Sequence, residues 1–290
     1  MARQDALSIY LNDSNKDQLA EVYGEVIEAI QKGAISEQIK NKNYSGDPQS
    51  GSVEIDRFKN ATINAKGTAR TAAAGDKLKN TGKVTIKVDT DKEIVEEVAK
   101  KDLDLYGVAG IAEKRKDNHA KRVIAYLDKA FFTEAETSGT ALTLPTTATT
   151  VQEKVEALIQ SVETTVNDWV DGVDRDMLVL TVTPAIYGQI QNYIDSVPNS
   201  LTGLKDDMFH RVRIFSNHRQ TKDAICMIDG AIGQLVKTDE YGLEKIPLDN
   251  NFALEFFFSH GTKAVMPDLI KYASFATVTP TPTPTGDDNG

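Results

Sequence analysis

The feature that most constrains this fold is a long segment that has no means of burying itself. Residues Asn64–Gly82 are rich in glycine, alanine, threonine and lysine, and Leu78 is their only large apolar residue. Strand patterns flank the segment, because Ser52–Ile63 precedes it and Lys83–Asp89 follows it with alternating apolar and polar residues. We predict a two-stranded ribbon with this segment as its tip. An isolated ribbon is marginal in water, so a partner surface must cover it.

The ribbon is also basic, in contrast to the rest of the chain. Residues 57–88 carry eight basic side chains and one acidic one, a net charge of +7. Because the 290-residue chain carries −10 in total, the remainder carries −17. The ribbon is either a loop kept soluble by its lysines or a loop that lies on the acidic surface of another copy. The residues proposed for such inter-subunit contacts are Arg57, Lys59, Lys66, Arg70, Lys77 and Lys79.

Helices are predicted both before and after the ribbon in the sequence. Apolar residues at helical spacing indicate an amphipathic helix from Ser14 to Gly33, which packs either on its own domain or on a neighbouring subunit. An acidic turn or short helix is expected over Asp91–Tyr106. The longest helical pattern spans Val108–Glu136, about 43 Å at about 1.5 Å per residue, and is interpreted as a spine that joins two lobes.

The second lobe begins after a linker rich in threonine and alanine, Ser138–Thr150. Thr150 and Glu153 have the spacing of a capping box, and the helix they start is predicted to run through Val170 and end at Gly172. A buried strand at Met177–Thr183 precedes a helix that begins at Pro184. Three further strands are predicted at Arg211–Phe215, Ala224–Ile228 and Phe252–Phe258, which makes this an α+β lobe.

Patterns that would indicate catalysis are missing from the sequence. It has no phosphate-binding glycine loop, no dinucleotide fingerprint, no HExxH and no nucleophile elbow. His210 and His218 are more simply surface residues than metal ligands, and Asp171–Asp176 is more simply an acidic turn than a calcium loop. We expect no catalytic, cofactor-binding or metal-binding residues and no cofactor. An enzyme stays open only because a triad is defined by geometry and not by sequence order.

Other features indicate where the protein is found. No apolar stretch is long enough for a membrane span, and no secretory signal is recognised at the start. Cys226 is the only cysteine and lies in an apolar strand pattern, so it is expected in the core and an internal disulfide is impossible. The net charge argues against a dedicated high-affinity nucleic-acid binder.

In its order of parts the chain resembles the major capsid protein of tailed bacteriophages. The resemblance covers about Ser14 to Ala276 and rests on element order and weak local similarity. The segments that carry it are Lys83–Asp89, Asp102–Tyr106 and Ala125–Asp128 at the junction of hairpin and spine, Met177–Pro184 as a central strand, and Asp223–Lys237 and Phe252–Ala276 as later strands.

The resemblance implies a phage major-capsid-type α+β fold with a long spine helix, an extended β-hairpin loop and an α+β axial domain. It implies a structural protein that forms pentamers and hexamers of an icosahedral head, encloses double-stranded DNA without sequence specificity, and meets portal and scaffolding or decoration proteins. Such a protein resides in the virion and assembles in the host cytoplasm. The implied boundaries are 1–50 for an N-terminal arm, 51–88 for the hairpin loop, 89–148 for a peripheral domain with the spine, 149–250 for the axial domain, 251–276 for a return strand, and 277–290 for a disordered Thr-Pro tail.

Some properties of the family, and two rival functions, stay open. Some members crosslink a hairpin lysine to a neighbour's asparagine, for which Lys66, Lys77 or Lys79 and Asn250 or Asn251 are candidates. The rivals are a shell protein of an encapsulin-like bacterial compartment, which has the same fold, and a surface-binding module suggested by the Thr-Pro tail.

Overall fold

A computed structural model describes residues 13–44, 51–66, 80–196, 208–247, 249 and 251–275. The Thr-Pro tail, residues 67–79 of the ribbon tip, and residues 1–12 and 45–50 of the predicted N-terminal arm lie outside these ranges. The helices are α1 Asp13–Gly33, α2 Ile35–Ile39, α3 Lys100–Ser138, α4 Val151–Glu163 and α5 Pro184–Ser196. The strands are β1 Ser52–Phe58, β2 Asn80–Lys87, β3 Thr90–Val98, β4 Thr140–Ala141, β5 Leu178–Val182, β6 Met208–Phe209, β7 Val212–Ser216, β8 Ala224–Ile228, β9 Ile232–Lys245, β10 Phe252–Ala264 and β11 Ile270–Ala273.

The spine prediction is confirmed. Helix α3 is broken at Gly107, which has φ 72°, so a short helix precedes the spine proper at Val108. The expectation of an acidic turn or short helix over Asp91–Tyr106 is wrong in its first half. That half is strand β3, which pairs antiparallel with β10, because Ile94 and Val98 alternate with polar residues and face the core.

Helix α1 packs on its own subunit, which decides between the two alternatives left open by its sequence. Leu19, Val22, Val26 and Ile30 are buried against α3 and the sheet formed by β3, β10 and β9. The Tyr23 hydroxyl also donates to Thr238 Oγ1 of β9 at 2.7 Å. The apolar stripe of this helix therefore needs no second copy to cover it.

The second lobe is built on a six-stranded sheet in the order β4-β11-β8-β5-β7-β6. Strand β5 is central, parallel to β7 and antiparallel to β8. Helices α4 and α5 pack on one face of this sheet, and Phe131 and Phe132 of the spine pack against residues of the other face. The predicted α+β class and the strands at Ala224–Ile228 and Met177–Thr183 are confirmed.

Helix α4 is shorter than predicted, because it ends at Glu163 and not at Gly172. Beyond it the chain turns back on itself: the Asn167 Oδ1 atom accepts from the backbone N–H groups of Trp169 and Val170. Gly172 has φ 78°, a conformation outside any helix. The predicted capping box of Thr150 and Glu153 is present.

Several strand boundaries also differ from the prediction, among them the start of β2 at Asn80 and not at Lys83. Strand β1 ends at Phe58 and not at Ile63, and β10 continues past Phe258 to Ala264. The extension of β10 depends on its partners, because β9 pairs with it as far as Ala264. None of the described helices is long and apolar enough to cross a membrane.

Candidate inter-subunit surfaces

The base of the ribbon packs on the outer face of the three-stranded sheet. Val53, Ile55 and Ile86 are buried there against Leu235 and Val265. The two backbones cross so closely that a Cβ atom on Gly261 would lie 1.8 Å from the carbonyl oxygen of Lys87. Strand β10 therefore needs glycine at this crossing.

A partly buried ion pair fastens the ribbon to the second lobe. The Arg57 guanidinium donates to Asp268 Oδ2 at 2.7 Å, and the Asn167 amide donates to the same oxygen at 2.6 Å. Burial by itself would raise the pKa of Asp268, but the hydrogen bonds from Arg57 and Asn167 outweigh it and hold that pKa below its usual value. The carboxylate therefore stays charged when the ribbon is docked.

Trp169 completes this fastening. Arg57 lies 5.0 Å and the Lys59 ammonium 5.5 Å from the centre of its ring, and Lys59 also pairs with Asp168 at 2.6 Å. A Cβ on Gly82 of the opposite strand would lie 2.9 Å from the ring. We call Arg57, Lys59, Asn167, Asp168, Trp169 and Asp268 the ribbon latch.

The six residues proposed for inter-subunit contact divide into three groups. Arg57 and Lys59 are paired within their own subunit, as members of the latch. Lys66, the last described residue of the segment that follows β1, is exposed. Arg70, Lys77 and Lys79 lie outside the described residues. No pattern in the sequence distinguished the two latch residues, because Asp168, Trp169 and Asp268 are more than a hundred positions away.

Beyond the latch the ribbon exposes apolar as well as basic side chains. Ile63 is 99% exposed, and Phe58, which lies between the two latch cations, is 50% exposed. Exposure of Ile63 to this degree removes it from any core in the single subunit. Together with Lys66 it gives the outer part of the ribbon the mixed apolar and basic character of a docking surface.

The part of the sheet's outer face that the ribbon leaves uncovered is acidic. We call this the acidic face. Val95 of the edge strand β3 lies on this face and is 50% exposed. Around it stand carboxylates of all three strands, namely Asp91, Glu93 and Glu97 of β3, Glu255 of β10 and Glu244 of β9. One subunit thus carries a basic ribbon and an acidic face with a similar apolar component.

Two of the other candidate residues, His210 and Asn251, have partners within the subunit. His210 Nδ1 lies 3.0 Å from Glu156, whereas His218 is exposed. Among the described residues no group of three or more potential ligands is placed to hold a metal ion. Cys226 is fully buried, and burial raises the pKa of its thiol to about 12. Asn251 donates to Glu97 at 2.5 Å, while Asn250 lies outside the described residues.

Similarity to known proteins lies in the structure and not in the sequence. No family model matches the chain, and no curated protein matches it. A structure from Mycobacterium phage Che8 superposes with a TM-score of 0.57 and 15% identity, covering 77% of this chain and 84% of that one. The mature capsid of bacteriophage PhiM1 gives a TM-score of 0.52 and 14% identity over 78% and 82%. A virus-like particle from Pyrococcus furiosus gives 0.56 and 11% identity over 88% and 98%.

At these identities the similarity defines the fold. The chain has the phage major capsid fold, with the spine helix, the projecting ribbon and the α+β lobe expected from the sequence. The latch and the acidic face are features of this chain's own residues.

Proposed function

We propose that this chain is the major capsid protein of a phage: a structural, non-catalytic protein that self-assembles into the pentamers and hexamers of an icosahedral head. The shell encloses double-stranded DNA without sequence specificity and is completed by portal and scaffolding or decoration proteins. The protein is assembled in the host cytoplasm and resides in the virion. The domain boundaries at residues 50, 88, 148, 250 and 276 belong to this proposal.

The observation that carries the proposal is the pair of complementary surfaces on one subunit. The basic ribbon and the acidic face are different patches, so a contact between them joins two copies head to tail. Such heterologous contacts generate rings when the rotation between copies closes. Hexamers and pentamers are rings of this kind, and the fold is one that known shells share.

The opposite charges in this contact determine how two copies align more than how tightly they bind. Opposite charges at an interface steer two copies together and exclude wrong alignments more than they add affinity. The exposed Ile63 and Val95 supply the apolar contact that a stable interface needs.

The test is to express the protein alone and with its genomic neighbours, and to examine it by sedimentation and negative-stain electron microscopy. Capsomer rings or closed shells are expected. A monomer under both conditions would contradict the shell proposal and return attention to the described lobes as a binding module.

The contents of the shell separate the phage head from the second candidate, a bacterial compartment. A compartment shell of the encapsulin type would have the same fold, so the fold alone does not separate the two. Double-stranded DNA inside the particles is expected for the phage head. A cargo enzyme in its place would establish the compartment.

A further inference from the structure

One face of the spine helix is positively charged, although the chain as a whole is acidic. At about 100° per residue, a set of spine residues falls within one third of the helix circumference. Its cations are Lys121, Arg122 and Lys129, all three exposed; the same third also holds the buried Phe132 and, beyond Thr133, Glu136, whose carboxylate accepts from Thr221. We call this set the spine stripe; its members are Asn118, Lys121, Arg122, Ala125, Lys129 and Thr133.

Two other cations of the same helix have carboxylate partners, whereas those of the stripe have none among the described residues. Arg115 pairs with Glu96, and Lys116 with Glu25 of α1 and Glu113. Lys121, Arg122 and Lys129 form no ion pair with any of the residues that the structure describes. Their charge is therefore not neutralised within the described part of the subunit.

The positive surface continues from the spine to the base of the ribbon. Lys129 lines a cavity of about 770 Å³ together with Lys87 of β2 and Lys263 of β10. The acidic side chains that face this cavity are Asp89 and Glu134. Glu134 is already engaged, because its Oε1 atom accepts from the backbone N–H of Ala264 at 2.9 Å.

The chemistry of the stripe fits a polyphosphate better than a protein surface. Its exposed surface has no large apolar side chain, since Phe132 in the same third is fully buried, so it lacks the apolar centre typical of protein interfaces. Asn118 to Thr133 spans about 22 Å at about 1.5 Å per residue, which matches roughly six phosphates of one DNA strand at about 3.4 Å each. Lysine and arginine that meet phosphates in this way bind without reading base sequence.

We propose that the spine stripe contacts the phosphate backbone of the double-stranded DNA that the shell encloses. The inference rests on the proposed capsid function, and it assigns the inner surface of the shell to this face of the spine. The contact is electrostatic and independent of sequence, and the three cations release counterions from the DNA when they bind.

The first test measures binding of a fluorescein-labelled DNA duplex to the purified protein by anisotropy over a range of salt concentrations. The variant K121Q/R122Q/K129Q removes the three charges. We expect the slope of log affinity against log salt to become less steep by about 2.7, since each phosphate contact contributes about 0.9. The control K42Q/K100Q/K101Q removes three exposed charges elsewhere and is expected to keep the wild-type slope.

Equal slopes for the two triple variants would overturn the proposal, because the effect would then come from net charge alone. If the stripe variant does not fold, as judged by circular dichroism, the single change Lys121→Gln replaces it, with an expected decrease of about 0.9 in the slope. An unchanged slope in that variant would also overturn the proposal.

The second test separates this inference from the proposed function. Particles of the stripe variant are expected to form in normal number but to retain less DNA than control particles. Normal DNA content would overturn the stripe proposal while leaving the shell intact. Failure of the stripe variant alone to form shells would show that the stripe binds another protein, which also overturns the proposal. Absence of shells from the wild-type protein would contradict the capsid function itself.

Discussion

Gly261 decides how closely the ribbon approaches the sheet beneath it. Its missing side chain lets β10 pass under β2 with almost no space between the two backbones. A backbone carbonyl does not move aside as a flexible side chain does, so a methyl group there must displace the strand. Single atoms at this crossing therefore control the position of the whole ribbon.

We expect Gly261→Ala to lower the free energy of unfolding by about 3 kcal/mol or more, because overpacking at a backbone contact forces the ribbon away from the sheet. Urea unfolding measures the change. The control is Gly188→Ala in α5, where no atom lies within 4 Å of an added Cβ and helix propensity favours alanine by up to about 1 kcal/mol. Equal effects of the two substitutions would contradict the close crossing.

Glu156 is a second residue whose surroundings set a measurable property. Burial alone would raise the pKa of its carboxyl, but hydrogen bonds from Arg175, His210 and Gln160 together lower it to about 2. The folded state thus keeps this carboxylate charged at pH values where the unfolded chain takes up a proton.

The stability contributed by Glu156 is expected to be complete above about pH 4.5, the ordinary value, and to be lost as the pH falls towards about 2. In the variant Glu156→Gln, the free energy of unfolding should fall by about 2 kcal/mol at neutral pH, after allowance for solvent screening. The difference from wild type should shrink below pH 4.5. Thermal unfolding from pH 2 to pH 7 measures this, with Glu21→Gln as an exposed control. A difference that is constant with pH would contradict it.

At the scale of elements, the molecule is held together by contacts between distant segments. Asp128 of the spine is fully buried; it accepts from the Ser36 N–H at the start of α2 and from Arg219, both at 3.0 Å. One carboxylate thus joins the N-terminal segment, the spine and the second lobe. The ribbon latch acts in the same way between β1 and the loop after α4.

We expect Trp169→Ala to release the base of the ribbon while both lobes stay folded. Loss of the contacts with Arg57 and Lys59 should lower the free energy of unfolding by about 2 kcal/mol. Limited trypsin digestion should then cut faster at Arg57 and Lys59. The control Tyr193→Ala removes an aromatic ring that is 36% exposed on α5. Unchanged cleavage in the Trp169 variant would show that the latch does not depend on the indole.

At the scale of the whole molecule, positive charge is concentrated in the ribbon segment and negative charge on the acidic face. The ribbon is fastened near its base by the latch, and beyond the latch Ile63 and Lys66 are exposed. The acidic face remains open on the same subunit. This division is unfavourable for an isolated monomer and is resolved when copies join.

A charge exchange tests the contact between copies. K77E/K79E in the ribbon and E93K/E97K in the acidic face should each reduce the fraction of protein in rings or shells, because each places like charges together. The quadruple variant K77E/K79E/E93K/E97K should restore much of the assembly. Sedimentation velocity measures the assembled fraction, with K100E/K101E as a control of equal charge change. A combination no better than either parent would contradict the ribbon's docking on this face.

Much of the fold was predictable from local pattern. The spine, the buried strand β5, the capping box at Thr150 and the paired ribbon strands all follow from periodicity and capping chemistry that a few neighbouring residues contain. Strand β3 was wrongly predicted as an acidic turn or short helix, because charged residues outnumber apolar ones along it. Its strand conformation depends on its pairing with β10, which the local sequence does not show. The end of α4 at Glu163 was missed, because Val166 and Trp169 continue the helical spacing although they belong to a loop.

The sequence alone determined that this chain has a basic projection too polar to bury itself, a long helix joining two lobes, and the order of parts of a phage capsid protein. Only the tertiary structure decided which cations fasten the ribbon and which remain available. Arg57, Lys59 and Lys66 are all basic residues of the ribbon, and their local sequence does not distinguish them. In the structure, however, Arg57 and Lys59 contact Asp268, Asp168 and Trp169, which are distant in the chain. Local pattern depends on neighbours in the chain, whereas a side chain's partners depend on packing between segments that lie far apart in it.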